Sequence, residues 1–90
     1  MNNTIEIKFF KRKNGANIYR AIGVDGEGIK HNVVAIIGQV KDLYEADLIF
    51  EDNVEGNEDK WLVLMKDEGI SEYDSLDEAK EAVRRYGYRV

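Results

Sequence analysis

The chain contains no cysteine, no proline and only one histidine, and no apolar run in it approaches the roughly 18 residues that a membrane-spanning helix requires. Without cysteine there is no disulfide framework, no thiolate nucleophile and no sulfur-ligated metal site. Without proline every residue can donate a backbone hydrogen bond, and no slow prolyl isomerisation limits folding. Met1 to Thr4 lead directly into a strand pattern with no signal-peptide core. These absences give the expectation of a cytoplasmic protein with no membrane association.

What is present is globular: 90 residues, enough for one domain and one hydrophobic core, with 43% hydrophobic and 34% charged residues. The net charge of -5 hides an uneven distribution. Residues 1–40 carry six Lys or Arg against three acids, residues 41–78 three against fourteen, and residues 79–90 four against one. An acidic middle therefore lies between two basic ends. It is densest in "EADLIFEDNVEGNED", seven carboxylates in the fifteen positions 45–59.

Asn14-Gly15 suits a two-residue type I′ turn between alternating segments, which predicts strands over about 4–12 and 17–24. That turn sets a register pairing Lys13 with Ala16, Phe10 with Tyr19, Ile7 with Ile22 and Ile5 with Val24. "DGEG" at 25–28 reads as a turn. Val33, Ile36, Ile37, Val40, Leu43 and Tyr44 recur at helical spacing, with Asn32 placed as an N-cap, and predict a helix over 33–46. The β-branched run and Gly38 support the competing reading, a strand over 29–37 followed by a short helix. Leu48–Glu51 and Trp61–Lys66 read as a second hairpin with a long loop. "WLVLM" has no alternation and predicts a central strand buried on both faces. "SLDEAKEAVRRYGY" carries a Ser75/Glu78 capping box, acids in its first turn, arginines in its last, a Leu76/Ala79/Val83/Tyr86 stripe, a Glu81–Arg85 pair and a Gly87 stop. Tyr88–Val90 reads as an extended piece at a sheet edge. The fold class expected is α+β: a small antiparallel sheet of two hairpins with one or two helices packed on one face, in the order β-β-α-β-β-α.

The tryptophan strand followed by Ser75-Leu76-Asp77-Glu78-Ala79 resembles the sheet-plus-helix modules of integrase arm-binding domains over residues 48–86. The resemblance covers about 40 residues and implies a fold, not a function.

Catalytic and metal chemistries find little to use. Glu51, Asn53, Glu55 and Gly56 imitate the start of an EF-hand loop, but position 12 of that loop falls on Leu62, where a bidentate glutamate is needed. His31 could serve a triad only with Ser71 or Ser75, neither in a nucleophile-elbow context, and it reads instead as an exposed residue ahead of the helix. "GVDGEG" lacks the Gly-Lys-Ser/Thr ending of a phosphate loop, and its acids repel phosphate. No enzyme activity, metal or cofactor is expected.

Two binding readings remain. In the first, Asp42, Glu45, Glu51, Asp52, Glu55, Glu58 and Asp59, with Trp61 or Phe50 as an aromatic anchor, meet the basic surface of a partner such as a nucleic-acid-processing protein. Such a chain would be an inhibitor or immunity-type protein of a phage or mobile element. In the second, Lys8, Lys11, Arg12, Lys13 and Arg20, interleaved with Phe10 and Tyr19, bind nucleic acid directly. A strand apolar on both faces also leaves homodimerisation open.

Overall fold

A computed structural model describes residues 5–65 and 69–86. Five strands, β1 (Glu6–Lys11), β2 (Ile18–Val24), β3 (Lys30–Gln39), β4 (Trp61–Met65) and β5 (Gly69–Tyr73), form one antiparallel sheet in chain order. The helices are α1 (Val40–Glu45), α2 (Glu51–Val54) and α3 (Leu76–Tyr86). The α+β class expected from the sequence is therefore the one observed, with a different element order.

The first hairpin forms, but its register is shifted by one from the type I′ expectation. Phe10 pairs with Arg20 and Ile7 with Gly23. A type I′ turn needs two residues at positive φ, and here only Gly15 adopts it (φ 84°). The Gly15 N–H bonds the Arg12 carbonyl, the Asn14 side chain accepts the Ala16 N–H, and the Arg12 N–H closes onto the Ile18 carbonyl. The longer loop puts Phe9, not Phe10, on the face shared with Tyr19.

The predicted helix over 33–46 is a strand up to Gln39 and a six-residue helix after it. β-branched Val33, Val34, Ile36 and Ile37 pack well on a pleated surface and lose rotamer freedom in a helix. A register shift in the β2–β3 ladder leaves Val34 as the extra residue between Val33, which faces Ile22, and Ala35, which faces Ala21. The second hairpin is also rearranged. Residues 48–50 are irregular and 51–54 helical, whereas β4 pairs with β3 and with β5, a strand the sequence reading missed. β4 is buried on both faces as expected, with Leu62 and Val63 pointing opposite ways and each 2% exposed.

Those two faces carry two cores. One joins Ala21, Ala35, Ile37 and Val63 to Ala79 and Val83 of α3. The other joins Ile18 and Leu62 to Val40 and Leu43 of α1 and to Ile49. Helices thus cover both sides of the sheet, not one. α3 is capped as predicted, the Ser75 hydroxyl accepting the Glu78 N–H at 3.1 Å. The Glu78 carboxylate accepts the N–H of Asp74, one residue ahead of the capping-box partner, and Tyr86 is exposed instead of completing the buried stripe. Gly87 and the extension over 88–90 lie outside the described residues, as do Lys66, Asp67 and Glu68.

Gly38 governs how α1 sits. A Cβ at this position would lie 2.5 Å from Cδ2 of Leu43, which is fully buried. Gly38→Ala is therefore expected to lower unfolding stability by about 1–3 kcal/mol through overpacking. Leu43→Ala is expected to lower it by about 2–5 kcal/mol through a cavity. Chemical denaturation of both variants checks this.

Candidate functional site

The acidic crossover between β3 and β4 starts from a firm base. The Asn17 backbone N–H donates to the Asp42 carboxylate at 3.1 Å, and the Asn17 side chain donates to that of Gln39 at 3.0 Å. These bonds tie the first hairpin's tip to the start of α1, so half-buried Asp42 serves the fold more than a free surface. α1 ends with Asp47 in the left-handed region (φ 60°) and the Leu48 N–H closing onto the Leu43 carbonyl at 2.9 Å, a Schellman turn.

This turn sends Ile49 into the core and leaves Phe50 82% exposed. α2 follows at once, opened by the Asn53 side chain accepting the Phe50 N–H at 3.2 Å. Glu45, Glu51, Asp52, Glu55, Glu58 and Asp59 are all exposed, and among the described residues none is in an ion pair. The nearby cation Lys60 is committed to Asp74, whose carboxylate raises its pKa, and Arg85 lies beside Glu81 at 4.0 Å. Glu45 and Glu55 also occupy helix ends where the macrodipole disfavours anions, with no basic residue in either last turn. Glu51 and Asp52, in the first turn of α2, stand where the macrodipole favours anions, so a small part of their placement serves the helix.

Trp61 does not join them. It lies on the α3 side of the sheet, half-buried, its ring centroid 6.3 Å from that of Tyr19. The exposed aromatics of the crossover are Phe50 and Tyr44, the latter 43% exposed. Sequence reasoning had counted Tyr44 in a helical core stripe; the strand-to-helix switch at Gln39 removes that stripe.

The five cations of the alternative site are divided. Lys8 and Arg20 project from one sheet face, Lys11 from the other beside Tyr19, and Arg12 and Lys13 stand at the tip. The aromatics among them are already capped from within the chain: Lys30 lies 4.4 Å from the Phe10 ring centre, Lys80 lies over Phe9 and Tyr19, and Arg84 over Phe9. His31 is the second residue of β3 and does not precede a helix, and its Nε2 lies 3.1 Å from Asp25. Asp25 closes the 25–28 turn by accepting the N–H groups of Glu27 and Ile29 at 2.9 and 3.0 Å. The Ile29 amide is the main cause holding the Asp25 carboxyl below its ordinary pKa, with His31 and Glu27 adding to it. Among the described residues no group of three or more His, Cys, Asp or Glu could hold a metal ion, and no helix is long and apolar enough to cross a membrane.

Compared with known proteins, the chain matches no family model, no curated protein and no solved structure. The likeness of residues 48–86 to integrase arm-binding modules gains nothing from these comparisons, and the first of the two strands it assumed, Leu48–Glu51, is not a strand.

Asp42→Ala should lower stability by about 1–2 kcal/mol, since it leaves a part-buried backbone N–H unpaired. Changing Glu51, Asp52 and Glu55 to their amides should each stay within about 0.5 kcal/mol; thermal denaturation separates the two classes. Because the Asp25 pKa is lowered on folding, its contribution is fully present above the ordinary value of 3.8 and is lost as pH falls through the folded value. Hydrogen exchange at Ile29, monitored down through that range, should show protection falling with pH, and Asp25→Asn should flatten the dependence.

Proposed function

We propose that the chain is a non-enzymatic protein-binding module that docks residues 44–59 onto a basic surface of another macromolecule, in the manner of an inhibitor or immunity-type protein. The observation that supports this most is Phe50, an aromatic ring 82% exposed at the start of α2 and followed directly by Glu51 and Asp52. Exposing a phenylalanine to water is unfavourable, and a ring within a charged rim is the usual composition of an interface anchor. The unpaired carboxylates around it steer a cationic partner toward the ring and fix its orientation, and the ring supplies the desolvated contact.

A protein that handles nucleic acid presents such a basic surface, and the acidic crossover would compete there with the polyanion. This reading needs neither a metal nor a cofactor. It assigns the contact to Phe50, Tyr44, Glu45, Glu51, Asp52, Glu55, Glu58 and Asp59, with Asp42 holding the crossover in place.

Capture from host lysate by immobilised chain, with and without nuclease treatment, tests it. Neutralising Glu51, Asp52, Glu55, Glu58 and Asp59 together should abolish capture, and Phe50→Ala should weaken it by about 2 kcal/mol, the loss typical of an interface hot spot. Changing Lys11, Arg12 and Lys13 to alanine should leave capture intact. The opposite pattern, with capture lost on nuclease treatment, would identify nucleic acid as the ligand.

A further inference from the structure

The sheet face that carries α1 is packed by that helix over its Ile18 end, while Val33 and Ile70 farther along stay exposed. Leu43 and its neighbours pack over the cross-strand row Ile18, Gly38 and Leu62. The next row toward the open end runs Phe10, Arg20, Ile36, Leu64 and Ile70 across all five strands. Beyond it Lys8, Ile22 and Val33 continue the same face, Lys8 and Val33 exposed and Ile22 buried between them. Val33 is 49% and Ile70 46% exposed, and where the β3–β4 ladder ends an open groove of about 300 Å³ is lined by Val33, Ile36 and Leu64 of this face, by Val34, and by Ala35 and Met65, which belong to the α3-side core. Along its β1–β2 side stand exposed Lys8 and Arg20, with Lys30 over Phe10.

One chain thus displays both halves of a contact: an exposed apolar knob, Phe50, followed directly by Glu51 and Asp52, which form no ion pair among the described residues, and a groove flanked by cations. We infer that a second copy of this chain occupies the groove, forming a two-fold dimer in which Phe50 of each copy enters the Ile36–Leu64 groove of the other. A two-fold axis lying between the sheets and perpendicular to their strands sets the α1–α2 end of one copy over the open end of its partner, and makes the contact twice. Glu51 and Asp52 then face Arg20 and Lys8 across the interface. The inference rests on the proposed docking role of Phe50 and extends it: the dimer masks the docking surface, and an external basic partner must displace it.

Analytical ultracentrifugation of the full chain across micromolar concentrations tests this. The wild type should sediment as a dimer that dissociates as salt rises. Phe50→Ala, which removes the ring from both contacts, should raise the dissociation constant roughly a thousandfold, and Ile36→Asp should give a monomer. Reversing Glu51 and Asp52 to lysine should yield a monomer, as should reversing Lys8 and Arg20 to glutamate, and an equimolar mixture of these two variants should recover a heterodimer. That recovery is a readout that misfolding cannot produce. A wild type that remains monomeric throughout, or a dimer indifferent to Ile36→Asp and to both charge reversals, overturns the inference. The two readings separate in the lysate assay: Ile36→Asp should still capture the basic partner, and a monomeric wild type that captures it sinks the dimer alone. Capture that survives Phe50→Ala and the acidic changes sinks the docking role.

Discussion

The seat of Leu43 on Gly38 is the contact from which the rest of this architecture follows. Here the chain turns from strand to helix at Gln39 and folds back over its own last strand residues, and at Gly38 there is no side chain in the way. With Leu43 in place, α1 closes over Ile18 and Leu62, the Asp42 carboxylate reaches the Asn17 amide, and the crossover to β4 begins from a fixed point. The Schellman turn after α1 then determines that Ile49 enters the core and Phe50 leaves it. The most exposed aromatic among the described residues is thus placed by the packing of a leucine on a glycine several residues earlier.

Much of this was legible in the residues, and the failures have identifiable physical causes. α3 announced itself through Ser75, Glu78 and the apolar spacing because its signals are local, and β4 did so because "WLVLM" cannot keep one face in water. The stretch from 33 to 46 was ambiguous because its apolar residues satisfy both periods: Val33 and Ile37 belong to a strand, and Val40 and Leu43 to a helix. β-branching and Gly38 argued for the strand, and tertiary pairing with β2 and β4 decided it. The hairpin register failed by one because the turn type depends on whether Asn14 takes a positive φ, which composition does not reveal. β5 was missed because Gly69–Tyr73 is an edge strand whose Ile70, Ser71 and Glu72 are exposed, so little hydrophobic alternation marks it.

The candidate site was legible as a charge pattern and not as a geometry. The acids of residues 45–59 do stand exposed and without cationic partners in the described part of the chain, but Asp42 is taken up by the fold and Trp61 by the opposite core. Conversely, the basic residues that seemed to form one patch at the hairpin are divided between two faces and the tip by the alternation of the strand. The electrostatic asymmetry therefore runs across the strand order, with cations on β1 and β2 and acids on the crossover, on β5 and in the first turn of α3.

The meander topology has a kinetic corollary. Every strand pairs with its neighbour in the chain, so four ladders require only that adjacent segments meet, and three of them close over short connections. Such local topologies collapse rapidly, because little chain entropy is surrendered before each contact forms. The exception is the β3–β4 ladder, which must enclose the whole crossover of residues 40–60. The step that limits how fast this molecule assembles is therefore the same closure that carries its acidic surface, and a shorter crossover would speed assembly at the expense of that surface.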